Sequence, residues 1–153
     1  MGTQTEFVAG SAAAGALAMV AATAVDQSGT SLPWTDSLKW ALPALPALAA
    51  AAIGAWLAVR WQRRGPAAST GALALRTSLL AALAYLPALA LYVLVAVLAS
   101  AVSVPAGQHW QLLLMAFVFG CLPLLWAALP FSMLEFLLCR RYLRHTRVLA
   151  GRP

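Results

Sequence analysis

Between Thr77 and Leu134 the chain runs for 58 residues without one Asp, Glu, Lys or Arg. A soluble domain must meet water over its whole surface and has no place for such a run. Fully helical, the run would reach about 87 Å, against a bilayer hydrocarbon core of ~30 Å. It must therefore fold back once, and residues 103–109, with Pro105 and Gly107, are where the sequence offers a turn. The chain reads as an integral membrane protein.

Composition agrees. Hydrophobic residues make up 63%, charged residues 9%, and mean hydropathy is +0.83, whereas soluble domains carry roughly 25% charge. Reading the charge-free apolar runs gives four spans, residues 7–25, 40–59, 78–102 and 110–138, the last broken only by Glu135. Each reaches or approaches the ~20 residues a tilted helix needs. The predicted fold is an all-α integral membrane bundle of four transmembrane helices in one domain, residues 1–138. A basic tail, residues 139–153, follows it. The first span is Ala- and Gly-rich. No Lys or Arg precedes it and Glu6 does, which argues against a secretory signal.

Orientation follows from the cations. Arg60, Arg63, Arg64 and Arg76 flank the second loop, and Arg140, Arg141, Arg144, Arg147 and Arg152 lie in the tail; Lys39 alone is on the other side. That distribution predicts cytoplasmic N- and C-termini. It also gives the net charge of +6 a topological meaning, so no nucleic-acid partner is expected. The Arg-, Ala- and Gly-rich composition suggests a bacterial inner-membrane protein. Trp34, Trp40 and Trp110 fall at the predicted outer boundary, Trp56 and Trp61 at the inner one, and Trp126 falls near mid-span.

Three helix faces are candidates for contact or binding. Span one carries Gly10, Ala14, Ala18 and Ala22 at intervals of four, with Ser11 and Gly15 beside them. Small residues at that spacing admit a close neighbour, either another span of this chain or a partner protein. Span three sets Tyr85 and Tyr92 two turns apart on a face with Ser78 and several Ala. It would line a pocket or pack against its neighbours, since a phenol in hydrocarbon needs a hydrogen-bond partner. Span four places Cys121, Leu125, Ala128, Ser132, Glu135 and Cys139 at steps of three and four, one stripe. Measured from Trp110, Glu135 lies about 37 Å along a straight helix, beyond the ~30 Å core. The expectation is therefore an interfacial carboxylate neutralised by Arg60, Arg140 or Arg141, with a proton or cation site as the alternative.

Pro87, Pro123 and Pro130 are interior to their spans and should kink them and free carbonyls. Cys121 and Cys139 lie 18 residues apart on one span, too far for an intrachain disulfide. No spacing suggests a metal ligand set, a cofactor or a catalytic constellation, so no enzyme is expected. In the tail, Arg140, Arg141, Arg144 and Arg147 alternate with apolar residues. They would attract anionic lipid headgroups at roughly 1 kcal/mol per cation. The sequence points to an accessory or interaction subunit of a membrane complex, with a membrane-protein partner or self-association. The alternative is a small-solute or cation transporter or channel using Glu135 and the polar stripe.

Overall fold

A computed structural model describes residues 2–27, 44–63, 69–99 and 108–149. The described chain is all-helical: α1 (Thr3–Gln27), α2 (Ala44–Gln62), α3 (Thr70–Ala99) and α4 (Gln108–Leu149). All four helices are long and apolar enough to cross a membrane. Of the turn expected at residues 103–109, residues 103–107 lie outside the described residues and Gln108 and His109 open α4; the loop with Lys39, Trp34 and Trp40, and Arg64 and Arg152, also lie outside them.

Local chemistry sets the helix ends. The Gly2 carbonyl accepts from the N–H groups of Thr5 and Glu6 (2.9 and 3.3 Å), and Glu6 in the first turn complements the helix dipole. Helix α2 has Pro46 in its opening turn, where a missing N–H has no intrahelical partner to lose. Ser69 caps α3: its Oγ accepts from the Ala72 N–H at 3.3 Å, serving an otherwise orphaned donor. That cap starts the helix two turns ahead of the charge-free run and draws Arg76 into it. Helix α4 is continuous for 42 residues through Pro123 and Pro130 and includes the basic segment to Leu149.

The helices form a ring in which α1 packs on α2 and α4, and α3 on α2 and α4. Neighbours run antiparallel. The Arg63 guanidinium donates to Gln4 Oε1 at 2.6 Å, joining the end of α2 to the start of α1. Phe7 meets Tyr142 ring to ring, and the Tyr85 hydroxyl reaches Gly120. The small-residue face of α1 turns inward onto this chain: Ser11, Ala14, Gly15, Ala18 and Ala22 are all buried. A Cβ on Gly15 would stand 2.6 Å from Ala51 Cβ, and one on Gly54 would stand 2.6 Å from the Ala81 nitrogen. These two glycines set how closely α2 approaches its neighbours. In hydrocarbon such approach gains dispersion, not hydrophobic burial.

The core has two apolar clusters. One, around Met19, Ala47, Tyr85, Leu89 and Val93, occupies the half remote from the Arg-bearing ends. The other, around Phe7, Ala58, Val59, Leu73 and Leu143, occupies the basic half. Leu79, Leu83, Leu91, Leu125, Leu129 and Met133 face outward, as expected of a surface that meets lipid. At the basic end the Arg60 guanidinium lies 5.1 Å from the Trp56 ring and that of Arg76 lies 6.0 Å from Trp61, both within cation–π reach.

Candidate functional site

Between the two apolar clusters lies a polar layer. Ser11 of α1, Thr77 of α3 and Glu135 of α4 are all fully buried, and so is Cys139, one turn beyond Glu135. Each comes from a different part of the sequence, and the antiparallel registry brings them level. The Thr77 hydroxyl donates to the Leu73 carbonyl of its own helix at 2.9 Å, and the Cys139 thiol lies beside it. Ser11 Oγ stands next to the Glu135 carboxyl without completing a hydrogen bond, so both carboxyl oxygens and the serine hydroxyl remain unpartnered.

This placement separates Glu135 from the arginines expected to neutralise it. Among the described residues no cation pairs with it. Arg60 is drawn over Trp56, and Arg140 and Arg141 are exposed further along α4. Glu135 is enclosed on the inward face of α4. An ionised carboxylate left there without a partner costs several kcal/mol. Neutrality comes in two ways: a proton on the carboxyl or a cation bound to it.

The span-four stripe also divides. Leu125 is 73% exposed and Ala128 is exposed, while Pro123, Ala127, Glu135, Cys139 and Leu143 face inward. Ser132 is half-buried and donates to the Leu129 carbonyl of its own helix at 2.8 Å; it does not join the Glu135 layer. Cys121 packs half-buried against the remote cluster, as does Tyr92, and both cysteines are free thiols. Tyr85 is buried, and its hydroxyl donates to the Gly120 carbonyl at 2.8 Å. Arg140, Arg141 and Arg144 are exposed, and the Arg147 side chain lies outside the described residues.

Two clefts flank the layer, each ending about one helical turn from it. The first, about 240 Å³, lies among all four helices on the remote side. Its wall is nearly all Ala, Gly and Leu. Gly15, Ser78 and Phe131 form the part nearest the polar layer, and Ser78 Oγ is buried there without a partner. The second, about 390 Å³, lies between α1 and α4 at the basic end and is the more polar of the two, with Thr3, Thr5, Glu6, Arg141 and His145 in its wall. Phe7, Gly10, Leu138 and Tyr142 line that cleft on the side of Glu135.

Ser11 and Thr77 were missed as site residues. The one available signal is that Ser11 is the lone polar side chain between Phe7 and Ala22, a position where a hydroxyl has little reason to be unless it meets another polar group. Among the described residues no three His, Cys, Asp or Glu gather as a metal site. No protein-family model matches the chain, and no curated protein or solved structure is significantly similar to it.

Proposed function

We propose that the chain is a small transporter or channel in which Glu135 carries a proton or small cation across part of the bilayer. The proposal includes a bacterial inner-membrane location with both termini cytoplasmic, supported by the one-sided distribution of Arg. One observation carries it: a fully buried carboxyl with no partner among the described residues, in a layer of hydroxyl and thiol groups between two clefts. A purely structural carboxyl in hydrocarbon would be expected to hold a permanent partner. The exposed Arg140, Arg141 and Arg144, with Arg147, suit contact with anionic headgroups.

The test is proton movement into vesicles reconstituted with the purified protein, driven by a potassium diffusion potential and read with a trapped pH dye. The wild type is expected to conduct, Glu135→Gln to be silent, and Glu135→Asp to retain partial activity, all with similar thermal stability in detergent. Equal rates for the wild type and Glu135→Gln would sink the reading.

The accessory-subunit reading has its own observation. The Ala-rich cleft reaches the bundle surface between α3 and α4 at Leu125 and Ala128, and small residues there admit a partner helix. Under that reading Ala128→Leu abolishes co-purification of a membrane partner while Glu135→Gln leaves it intact.

A further inference from the structure

We infer that Glu135 is a proton site, and not a metal-ion site, that communicates with the basic end of the bundle through the cleft between α1 and α4, with the Phe7–Tyr142 ring pair as its gate. The inference rests on Glu135 being the functional group of the protein and adds what it binds and from which side.

The ligand follows from the donor set. A hard cation collects about six oxygens. The layer offers the two carboxyl oxygens, Ser11 Oγ and Thr77 Oγ1, the last with its proton committed to Leu73. The remaining neighbour is the Cys139 thiol, a poor ligand for such ions. A proton needs no such shell. A protonated carboxyl becomes an O–H donor for the adjacent Ser11 oxygen, giving the two unpartnered groups to each other.

The route follows from the contrast between the clefts. Ordered water needs two to four polar partners. The cleft at the basic end supplies Thr3, Thr5, Glu6, Arg141 and His145, whereas the remote cleft supplies little beyond Ser78 and Tyr85. The rings of Phe7 and Tyr142 form part of the wall of this cleft, with centroids 4.9 Å apart and planes at 35°. In the same wall Gly10 sits against Leu138, whose methyl lies 3.1 Å from where a Cβ on Gly10 would be. Phe7 and Cys139 belong to the same buried cluster, so moving Phe7 opens the path to both Cys139 and Glu135.

The surrounding charges fit a single titrating carboxyl. Helix α1 contributes Ser11, and Glu6 at the cleft wall; α4 contributes Cys139, with Arg141, Tyr142 and His145 in the cleft. Helix α3 contributes Thr77, with Arg76 exposed and drawn to Trp61. Helix α2 packs Ala55, Ala58 and Val59 into the basic half, with Arg60 drawn to Trp56.

The test uses the full chain in oriented phosphatidylcholine–phosphatidylglycerol vesicles. Dicyclohexylcarbodiimide, a lipophilic reagent for protonated carboxyls, is followed by mass spectrometry at Glu135. Its rate is expected to fall about tenfold per unit rise in pH at the basic face, once past the midpoint of a one-proton titration. It should be flat against pH at the other face. In a Cys121→Ala background, Phe7→Ala should raise the labelling of Cys139 by an impermeant maleimide from the basic face about tenfold, as a lowered local opening cost requires. Tyr142→Phe, which keeps both rings, should leave it unchanged. Labelling of Glu135 that follows pH at the other face, or Cys139 labelling indifferent to Phe7→Ala, overturns the route and leaves transport through Glu135 standing. Protection of Glu135 by sodium or potassium at constant pH overturns the proton assignment. A Glu135 rate indifferent to pH on both faces, in folded protein, overturns this inference and the transport reading together.

Discussion

Helix α3 meets α2 through Ala81 against Gly54, backbone to backbone, with Ala55, Ala58 and Ala74 continuing the contact. On its other side it meets α4 through Leu89 laid over Gly120 and through the Tyr85 hydroxyl on the Gly120 carbonyl, with a cleft below them. The first seam brings two backbones into direct contact. The second is made of long side chains over Gly120 of the proline-containing α4, beside the cleft. Lipid tails are as apolar as leucine, so a gap in a membrane bundle forfeits dispersion that the hydrophobic effect does not restore. Close backbone contact joins α2 to α1 and α3, whereas longer side chains join α3 to α4, the helix that brings the carboxyl.

The contrast predicts its own mutational profile. The largest effect belongs to Gly54→Ala, because the new methyl would meet the Ala81 backbone and not a side chain that can turn aside. The expected loss is about 1–3 kcal/mol, the usual range for overpacking a filled interface, read as a large fall in detergent melting temperature. Gly71→Ala, with nothing within 4 Å, should be neutral or slightly stabilising. Similar losses at both glycines would mean that helix propensity, and not the seam, is being measured.

An intermediate effect is expected for Tyr85→Phe, which deletes the bond to Gly120 while keeping the ring. Interhelical hydrogen bonds in membranes average about 0.6 kcal/mol and reach about 1.7. Because this one crosses the second seam, cross-linking between cysteines placed at Ala82 and Leu125 should become faster and broader in distance. An unchanged cross-linking pattern would show that the seam is held by shape alone. The smallest effect belongs to Ser132→Ala. Its hydroxyl bonds only to its own helix, so stability and proton flux should stay within about 0.5 kcal/mol and experimental error of the wild type. A loss of flux would return Ser132 to the site.

Much of the fold was legible because it rests on one-dimensional quantities. The run from Thr77 to Leu134 and the lengths of its neighbours require four long apolar helices, whatever their packing. The site was legible only in part. Glu135 and Cys139 are on one face by helical arithmetic alone, but the same arithmetic grouped them with Leu125, Ala128 and Ser132. Steps of three and four drift around the helix, and the inward face in this half runs through Ala127 and Phe131 instead. Pairing failed for a different reason. Nearness of Glu135 to Arg140 and Arg141 in sequence does not bring them to one face of α4, and Arg60 lies over Trp56 instead. The meeting of Ser11, Thr77 and Glu135 depends on the vertical register of three helices, and the antiparallel contacts of Gly10 with Leu138 and Gly54 with Ala81 fix that register. No local pattern encodes it.

Helix α4 has a mechanical consequence. At 42 residues it is about 63 Å long if straight, twice the ~30 Å of a bilayer core. Both of its prolines come before Glu135, and from Phe131 to Leu149 it has neither proline nor glycine. That stretch is a stiff rod with the buried carboxyl near one end and Arg140, Arg141, Arg144 and Arg147 along the other. A lipid surface or protein that grips the basic end and rolls it by a few tens of degrees would turn Glu135 by the same angle, out of its polar layer and toward a neighbouring helix.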